Sequence, residues 1–306
     1  MNMHQKREMR KNKKMNEDTK SLSSTSINWY PGHMAKTKRL IIENKNLIDV
    51  VYEVIDARMP YSSKIKDLDS FISNKKRILI MTKYDLCDKD ETLKWIKYYE
   101  SLGYRVFTVN LEGNSSLNGL INLTEDVMKE EFDKRKEKGM KSRKIRVLVV
   151  GIPNVGKSTL INRLVGKKVV NVGNKPGITK NLSWIRINDK IELLDTPGIL
   201  WPKLDSETVA YNLASLTAIK EEILPMDKVV IYILNMLDKY YKDILKNRYG
   251  IDEVDNEDIV STLDCIGTRR GCLIKGGEID YDKVYSIIIN DIKNGIVKDI
   301  TFDRYE

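Results

Sequence analysis

The sequence predicts an α/β fold, a P-loop domain built on a parallel sheet, followed by an all-helical domain. Short apolar segments alternate with amphipathic helical segments over the first two thirds of the chain, which is typical of a parallel sheet with helices on both faces. One strand-to-helix junction, Gly151–Ser158, fits the phosphate-binding pattern G-x-x-x-x-G-K-[ST]. Beyond about Asp205 helical patterns replace strand patterns, which indicates a second domain.

The individual elements follow from hydrophobic periodicity and from the Gly, Pro and polar residues between them. Apolar runs predict strands over residues 50–56, 77–81, 105–110, 145–150, 184–187 and 191–194. In the first domain, amphipathic patterns predict helices over residues 35–47, 66–73, 91–102 and 117–138, and from residue 159 onward. In the second domain, helices are predicted over residues 206–222, 226–247, 256–266 and 281–294.

Size and composition are those of a globular protein of about two domains. The 306 residues are 41 % hydrophobic, and no apolar run approaches the roughly 18 residues of a membrane span, which argues against a membrane partner. A net charge of +9 favours a polyanionic partner such as nucleic acid, although a lysine-rich proteome gives the same balance. Unpaired cysteines and the absence of an apolar leader predict a cytoplasmic protein, with an organellar matrix less favoured.

We expect the chain to have three parts. Residues 1–26 are rich in Lys, Arg, Asn and Ser and almost free of apolar residues, so they are predicted to form a disordered basic arm. That arm either touches nucleic acid or is a solvated tail. Residues 27–205 are predicted to form the P-loop domain, and residues 206–306 the helical domain.

The phosphate loop, Gly151–Ser158, carries the first candidate site residues. In a strand–loop–helix context, backbone N–H groups and the helix N-terminus face the phosphates of a nucleotide. Lys157 is expected to reach the β- and γ-phosphates, and the Ser158 hydroxyl to bind Mg²⁺. The neighbouring residues expected to bind the nucleotide are Asn154, Val155, Gly156 and Thr159. A Gly-rich turn that binds nothing is disfavoured, because both flanks fit the motif.

A second motif, Asp195-Thr196-Pro197-Gly198, fits the D-x-x-G signature of GTPases. It follows the phosphate loop by about 40 residues, with two predicted strands between, which makes the match specific. Asp195 is expected to hold Mg²⁺ through water, and the Gly198 N–H to contact the γ-phosphate. Thr179 lies between the two motifs, where a switch loop can bring its hydroxyl to Mg²⁺; the alternative is a plain loop threonine.

Base selection is predicted to lie in Thr82-Lys83-Tyr84-Asp85, which resembles the guanine-reading signature N-K-x-D. The Asp85 carboxylate can accept hydrogen bonds from guanine N1–H and the exocyclic amine, a donor pair that adenine lacks. Thr82 stands where the signature has Asn, which we expect to weaken the tethering of the loop more than base recognition. Asn110 and Leu111, after the next strand, are also expected to contact GTP.

These motifs occur in rotated order. In a Ras-like GTPase the phosphate loop comes first and the base-reading motif last, whereas here residues 82–85 precede Gly151 by about 70 residues. The order predicts a circularly permuted Ras-like GTPase domain, which is physically acceptable because the termini of compact domains often lie close together. The loop that senses the nucleotide, residues 195–198, then leads directly into the helical domain.

Together the motifs resemble the circularly permuted GTPases of the ribosome biogenesis GTPase A family. The matching segments, spread over residues 27–295, are Trp29–Lys36, Asp56–Pro60, Thr82–Asp85, Gly151–Ser158, Pro176–Thr179, Asp195–Pro202, Arg269–Leu273 and Gly276–Gly277. The resemblance implies a GTPase that binds rRNA and ribosomal proteins in a late large-subunit precursor, promotes its maturation and is stimulated by that particle. It assigns contact with RNA or the ribosome to the helical domain. We expect the protein to be a monomer off the ribosome.

The resemblance also points to His33 as the catalytic residue. Many GTPases place a Gln after D-x-x-G to orient the attacking water, but this chain has Ile199 there. A neutral imidazole can hydrogen-bond a water near pH 7, so His33 is the candidate; contact with RNA or the ribosome, or simple packing, is the alternative. The resemblance further implies that Asn154 helps to hold a potassium ion near the phosphates.

Two other classes of function compete with this interpretation. One is a GTP-dependent regulatory switch that acts on a protein or membrane partner, with the basic residues serving only as a solubilising surface. The other, a P-loop ATPase or kinase, is disfavoured because Asp85 matches guanine and not adenine.

Overall fold

A six-stranded sheet forms the centre of the first part of the chain in the computed structural model. Its strands are β1 (Val50–Asp56), β2 (Lys76–Thr82), β3 (Arg105–Thr108), β4 (Ile145–Val150), β5 (Ser183–Arg186) and β6 (Ile191–Asp195). Their order across the sheet is β3-β2-β1-β4-β6-β5. The structure describes residues 32–113, 116–141, 143–170, 183–197, 206–219 and 224–305. The predicted basic arm, residues 1–26, lies outside the described residues.

Neighbouring strands are parallel except for β5 and β6, which pair antiparallel. The sequence predicts a parallel sheet, and this edge strand differs because only residues 187–190 connect it to β6. A parallel connection needs a dozen or more residues, whereas a short turn joins antiparallel neighbours. Asn188 shapes the turn, since its side-chain oxygen accepts hydrogen bonds from the N–H groups of Lys190 and Ile191, both at 2.8 Å.

Helices connect these strands. They are α1 (Gly32–Asn44), α2 (Leu68–Phe71), α3 (Lys89–Ser101), α4 (Asn118–Glu137), α5 (Lys157–Val165) and α6 (Glu207–Ser215), with a 3₁₀ turn at Lys45–Leu47. Every residue of β1 is buried, as in a central strand of a sheet covered on both faces. The helix predicted over residues 66–73 is limited to α2, because Ile72 leaves helical geometry at φ −127° and ψ 66°.

One of two compact units, which we call the helical unit, comprises the described residues from 214 to 297. Its helices are α7 (Met226–Tyr240), α8 (Lys242–Tyr249), α9 (Ile259–Arg269) and α10 (Tyr281–Lys293). The single helix predicted over residues 226–247 is two helices, because Tyr241 leaves helical geometry at φ −142° and ψ 49°. The buried Asp291 accepts hydrogen bonds from Arg248 at 2.7 and 2.6 Å, which join α8 to α10.

The other compact unit, which we call the sheet unit, comprises the described residues from 32 to 213 together with residues 298–305. We call residues 298–305 the returning segment, because they follow the helical unit in the chain but pack on the sheet unit. The sequence assigns residues 206–306 to one helical domain; its boundary after residue 205 borders a stretch outside the described residues and stays a prediction. In the described part of the chain, no helix combines the length and apolar character needed to cross a bilayer.

Candidate nucleotide-binding site

The predicted nucleotide-binding segments meet at the carboxyl edge of the sheet. Strand β1 ends at Asp56, which is aligned with Thr82 at the end of β2. The phosphate loop follows β4, and Asp195 ends β6 beside Val149 of β4. Because these strands are parallel, their carboxyl ends lie at one edge, which is where open α/β sheets bind ligands.

The backbone of the phosphate loop requires glycine at two positions. A Cβ on Gly151 would lie 2.4 Å from the carbonyl oxygen of Val54, so the loop starts in direct contact with β1. Gly156 has φ 92°, a conformation that glycine adopts without steric cost. The buried Lys157 donates hydrogen bonds to the carbonyl oxygens of Gly151 at 2.9 Å and Ile152 at 2.7 Å. The ammonium group is therefore held inside the loop that is predicted to wrap the phosphates.

Lys157 and Asp195 are buried charges that influence each other. Burial lowers the pKa of Lys157 to about 8, against an opposing influence of Asp195. Burial raises the pKa of Asp195 to about 6, against an opposing influence of Lys157. Neither carboxylate oxygen of Asp195 has a hydrogen-bond partner among the described residues. A buried carboxylate with unpaired oxygens is the hard donor that Mg²⁺ prefers, so Asp195 fits the predicted metal site.

Thr82 joins residues 82–85, which are predicted to read guanine and are called the guanine-reading segment, to the phosphate loop. Its buried hydroxyl lies 2.6 Å from the carbonyl oxygen of Val155 and 3.0 Å from that of Ile55. A hydroxyl has one proton to donate, so the shorter contact, to Val155, is the favoured hydrogen bond. From the sequence we expect threonine in place of asparagine to weaken this tether, whereas the structure retains a tether through the threonine hydroxyl.

Lys83 is held by the end of β1. Its ammonium group lies 2.9 Å from Asp56 Oδ2 and donates to the carbonyl oxygen of Asn154 at 3.0 Å. Arg58 donates to both carboxylate oxygens of Asp56, at 3.0 and 2.9 Å. Burial alone would raise the pKa of Asp56, but Arg58 and Lys83 together hold that pKa well below its usual range. Asp56 therefore stays charged and links the guanine-reading segment to β1.

Asp85, the predicted base-reading residue, is half-buried in the turn that follows β2. No described residue forms a hydrogen bond or an ion pair with the Asp85 carboxylate. The turn is closed by a hydrogen bond of 2.9 Å from the Leu86 N–H to the carbonyl oxygen of Lys83. Beside Asp85, the ring of Tyr84 packs under the ammonium group of Lys89, 4.1 Å from the ring centroid. The carboxylate is thus open to donors from a base.

Asn110 and Leu111 border the phosphate loop from the segment after β3. The buried Leu111 side chain would lie 3.2 Å from a Cβ placed on Gly156. The Asn110 side chain accepts hydrogen bonds of 2.7 and 3.2 Å from two N–H groups of its own loop. The backbone carbonyl oxygen of Asn110 accepts a hydrogen bond of 3.1 Å from the side chain of Arg163 in α5. Asn110 therefore shapes its own loop, and its contact with GTP stays a prediction.

The remaining predicted site residues are described only in part. Ser158 and Thr159 are half-buried in the first turn of α5. His33 belongs to α1, while Thr179 and Gly198 lie outside the described residues. The catalytic role of His33 and the metal-binding roles stay predictions.

Sequence reasoning missed the contacts that Asp56 and Arg58 make in this site. Asp56 ends an apolar strand and Arg58 lies in the loop after it. No pattern in the sequence indicates that either residue takes part in a contact with Lys83. The available signal was a carboxylate at the end of a buried strand, adjacent in a parallel sheet to the strand that carries the guanine-reading segment.

Known proteins resemble this chain over most of its length. A family model described as 50S ribosome-binding GTPase matches residues 146–264. The ribosome biogenesis GTPase A of Priestia megaterium is 44 % identical, over 91 % of this chain and 96 % of that protein. That of Thermotoga maritima is 31 % identical, over 92 % and 95 %. The crystal structure of GNP-bound YlqF from T. maritima matches with a TM-score of 0.60 and 27 % identity, covering 88 % of this chain and 98 % of that one.

Proposed function

The chain belongs to the ribosome biogenesis GTPase A family, and on this premise we propose that it binds rRNA in a late large-subunit precursor and promotes its maturation. The protein is a GTPase with a circularly permuted P-loop domain, and it hydrolyses GTP to GDP and phosphate. The proposed partners, besides GTP and GDP, are the rRNA and ribosomal proteins of that precursor in the cytoplasm. The names of the relatives support this ribosomal role.

The observation that carries the proposal is the meeting of three motifs at one edge of the sheet. The guanine-reading segment, the phosphate loop and Asp195 lie at the ends of strands β2, β4 and β6, in an order rotated from that of a Ras-like GTPase. Because of this rotation, the chain runs from Asp195 through α6 into the helical unit. The loop proposed to sense the γ-phosphate is therefore close in sequence to the unit proposed to contact RNA.

In the proposed complex, the base and the phosphates of GTP are bound by separate segments. Asp85 accepts from the guanine donors, and the stem of Lys83 lies along the base. Lys157 contacts the β- and γ-phosphates, and the Gly198 N–H the γ-phosphate. The proposed GTP-binding residues are Thr82, Lys83, Tyr84, Asp85, Asn110, Leu111, Asn154, Val155, Gly156, Lys157, Ser158, Thr159 and Gly198.

Two cations belong to the proposal. The hydroxyls of Ser158 and Thr179 bind Mg²⁺ directly, and Asp195 holds it through water. When bound, Mg²⁺ stabilises the negative charge of the phosphates during hydrolysis. A potassium ion is proposed beside Asn154, where it supplies positive charge without an arginine. Turnover that is equal in potassium and sodium salts would argue against this second cation.

His33 is proposed to orient the attacking water, because Ile199 stands where many GTPases have a Gln. Hydrolysis is then slow until the ribosomal particle orders the site, and the particle can do so only by binding the ordered conformation more tightly than the disordered one. His33→Ala should lower particle-stimulated turnover by about 100-fold while sparing the affinity for GTP. His4→Ala, which changes the other histidine, is the matched control. Unchanged stimulated turnover in His33→Ala would exclude the catalytic role.

Co-sedimentation with large ribosomal subunits tests the proposed function. We expect the protein to associate with the subunits when it holds a non-hydrolysable GTP analogue, and to dissociate as the salt concentration rises. The same subunits should raise GTP turnover, and Lys157→Ala should fail in both measurements. If association with the subunits is the same with and without the GTP analogue, and the subunits do not raise GTP turnover, a regulatory switch that acts on a protein or membrane partner is favoured.

A further inference from the structure

The returning segment lies against the turn that carries Asp85. The N–H of Ile300 donates to the carbonyl oxygen of Leu86, the residue after Asp85, at 3.3 Å. The hydroxyl of Thr301 lies 3.4 Å from the carbonyl oxygen of Asp88, the N-cap residue of α3. These two contacts support the backbone of the turn between β2 and α3.

Later residues of the same segment bind the first turn of α3. The guanidinium group of Arg304 lies 3.7 Å from the Asp88 carboxylate and 3.0 Å from that of Glu91. The N–H of Tyr305 donates to Glu91 at 2.5 Å. The ring of Tyr305 meets Trp95 of α3 edge-on, with ring centroids 5.2 Å apart. The returning segment therefore follows the guanine-reading turn into the helix that continues it.

A further backbone contact reaches the loop after β1. The N–H of Phe302 donates to the carbonyl oxygen of Arg58 at 2.8 Å. Arg58 binds the Asp56 carboxylate, and Asp56 in turn holds the ammonium group of Lys83. The returning segment thus connects the two strand ends that support Lys83 and Asp85.

Asp303 anchors the returning segment. Its buried carboxylate accepts hydrogen bonds from the N–H of Tyr61 at 2.8 Å, from the N–H and hydroxyl of Ser62 at 2.7 and 2.5 Å, and from the Asn212 amide at 2.9 Å. Asn212 lies in α6, just before the chain enters the helical unit. One carboxylate therefore ties the point where the chain leaves the sheet unit to the point where it returns.

We propose that the returning segment is a positioning element for guanine recognition, because it fixes the turn that presents Asp85 to the base. This inference rests on the proposed base-reading role of Asp85. A carboxylate that accepts from N1–H and from the amine at once tolerates little displacement, since hydrogen bonds weaken steeply with distance and angle. The residues of the returning segment touch no part of GTP in this proposal and act through Asp85 and Lys83.

Discrimination between GTP and ITP measures this placement. Inosine lacks the exocyclic amine of guanine, so the ratio of the Kd for ITP to the Kd for GTP isolates the contact between that amine and Asp85. A hydrogen bond to a charged group predicts a ratio of about 10 or more in the unchanged chain. A smaller folded fraction weakens the binding of both nucleotides equally and leaves the ratio unchanged. The ratio therefore separates a positioning role from a general loss of stability.

The experiment compares Arg304→Ala and Asp303→Ala with the unchanged full chain. Both substitutions should lower the ratio by about threefold, as expected when one charged hydrogen bond is partly lost. Asp291→Ala is the matched control, because it removes a buried carboxylate that binds Arg248 within the helical unit. This control should lose thermal stability and keep the ratio. A ratio that is kept in Arg304→Ala, or that falls equally in Asp291→Ala, overturns the proposal.

A separate variant distinguishes failure of this inference from failure of the proposed function. Asp85→Asn should lose affinity for GTP and gain affinity for XTP, because its amide can donate to the oxygen that xanthine carries in place of the guanine amine. If the binding of both nucleotides is unchanged in Asp85→Asn, the proposed base-reading role fails. If Asp85→Asn switches base while Arg304→Ala keeps the ratio, only the positioning role fails.

Discussion

The hydroxyl of Thr82 holds together the two segments predicted to bind the base and the phosphates. It reaches the carbonyl oxygen of Val155 at 2.6 Å from a fully buried position. Leaving a buried carbonyl without its donor costs about 1–3 kcal/mol. One hydroxyl therefore contributes substantially to the geometry of the whole nucleotide site.

Thr82→Val should weaken GTP binding about 10-fold, because valine keeps the shape of threonine and removes the donor. Isothermal titration with GTP and Mg²⁺ measures the change in Kd. Thr82→Ser keeps the hydroxyl and is the control, so its Kd should stay within about threefold of that of the unchanged chain. If serine weakens binding and valine does not, packing of the methyl group and not the hydroxyl holds the two segments together.

Asp195 makes the stability of the nucleotide-free protein depend on pH. Its pKa is about 6 in the folded protein and has an ordinary value of 3.8. Between these values the folded protein binds more protons at this carboxyl than the unfolded chain does. The stability that Asp195 contributes is therefore fully present below pH 3.8 and is lost as the pH rises through about 6.

Asp195→Asn should gain stability relative to the unchanged chain as the pH rises, because asparagine does not titrate. We expect the difference in unfolding free energy to shift in favour of the variant by about 2 kcal/mol between about pH 4.5 and 6.5. Urea unfolding without nucleotide measures this difference, and groups that titrate alike in both proteins cancel. A difference that stays constant over the range would contradict the raised pKa of Asp195.

The phosphate loop depends on how closely the end of β4 approaches β1. Gly151→Ala should destabilise the protein and weaken GTP binding, because its Cβ would lie 2.4 Å from the backbone oxygen of Val54. Overpacking should lower the free energy of unfolding by about 1–3 kcal/mol and Tm by several degrees, and scanning calorimetry measures the change in Tm. Gly119→Ala in α4 is the control, since its Cβ meets only the Phe107 ring, at 3.2 Å. Equal falls in Tm would argue against a special role for the β1 contact.

Local patterns predicted the strands that support the site. Strands β1 and β4 occupy the predicted residues, because each is an apolar run bounded by polar or glycine residues. The break at Tyr241 between α7 and α8 was not predictable, since no Gly or Pro marks it and the apolar period continues. The antiparallel pairing of β5 differs from the prediction because alternating strands and helices favour a parallel sheet, whereas the link of residues 187–190 between β5 and β6 is too short for a parallel connection.

The molecule as a whole combines predictable motifs with contacts that no local pattern reveals. Parallel strands bring their carboxyl ends to one edge, so the motifs alone indicated which segments meet. The anchor of the returning segment was not predictable, because Asp303 and Ser62 are 241 residues apart and periodicity carries no information about such pairs. The contact between Asp56 and Lys83 is an intermediate case, because a parallel sheet brings the ends of β1 and β2 to one edge but the register of the two strands decides which side chains meet.

The basic residues that give the chain its net charge of +9 predict that the proposed association with ribosomal subunits weakens as the salt concentration rises. The logarithm of the association constant should fall linearly with the logarithm of the salt concentration, with a slope set by the number of phosphates contacted. Residues 1–26 carry seven basic and three acidic residues, so deleting them should make the slope shallower. Co-sedimentation at several potassium chloride concentrations measures both slopes. Identical slopes would show that this arm is a solvated tail.

Translation builds the guanine site in a fixed order. Ribosomes add about 5–20 residues per second, and Tyr61 is made 242 residues before the Asp303 that binds it. From the synthesis of Gly198 until residues 298–305 are made, the nascent sheet unit has its strands and motifs but lacks the returning segment. If that segment positions Asp85, the growing chain distinguishes guanine from other bases poorly until the helical unit has been synthesised. Full selectivity for guanine is then reached only by a chain in which both units have been synthesised.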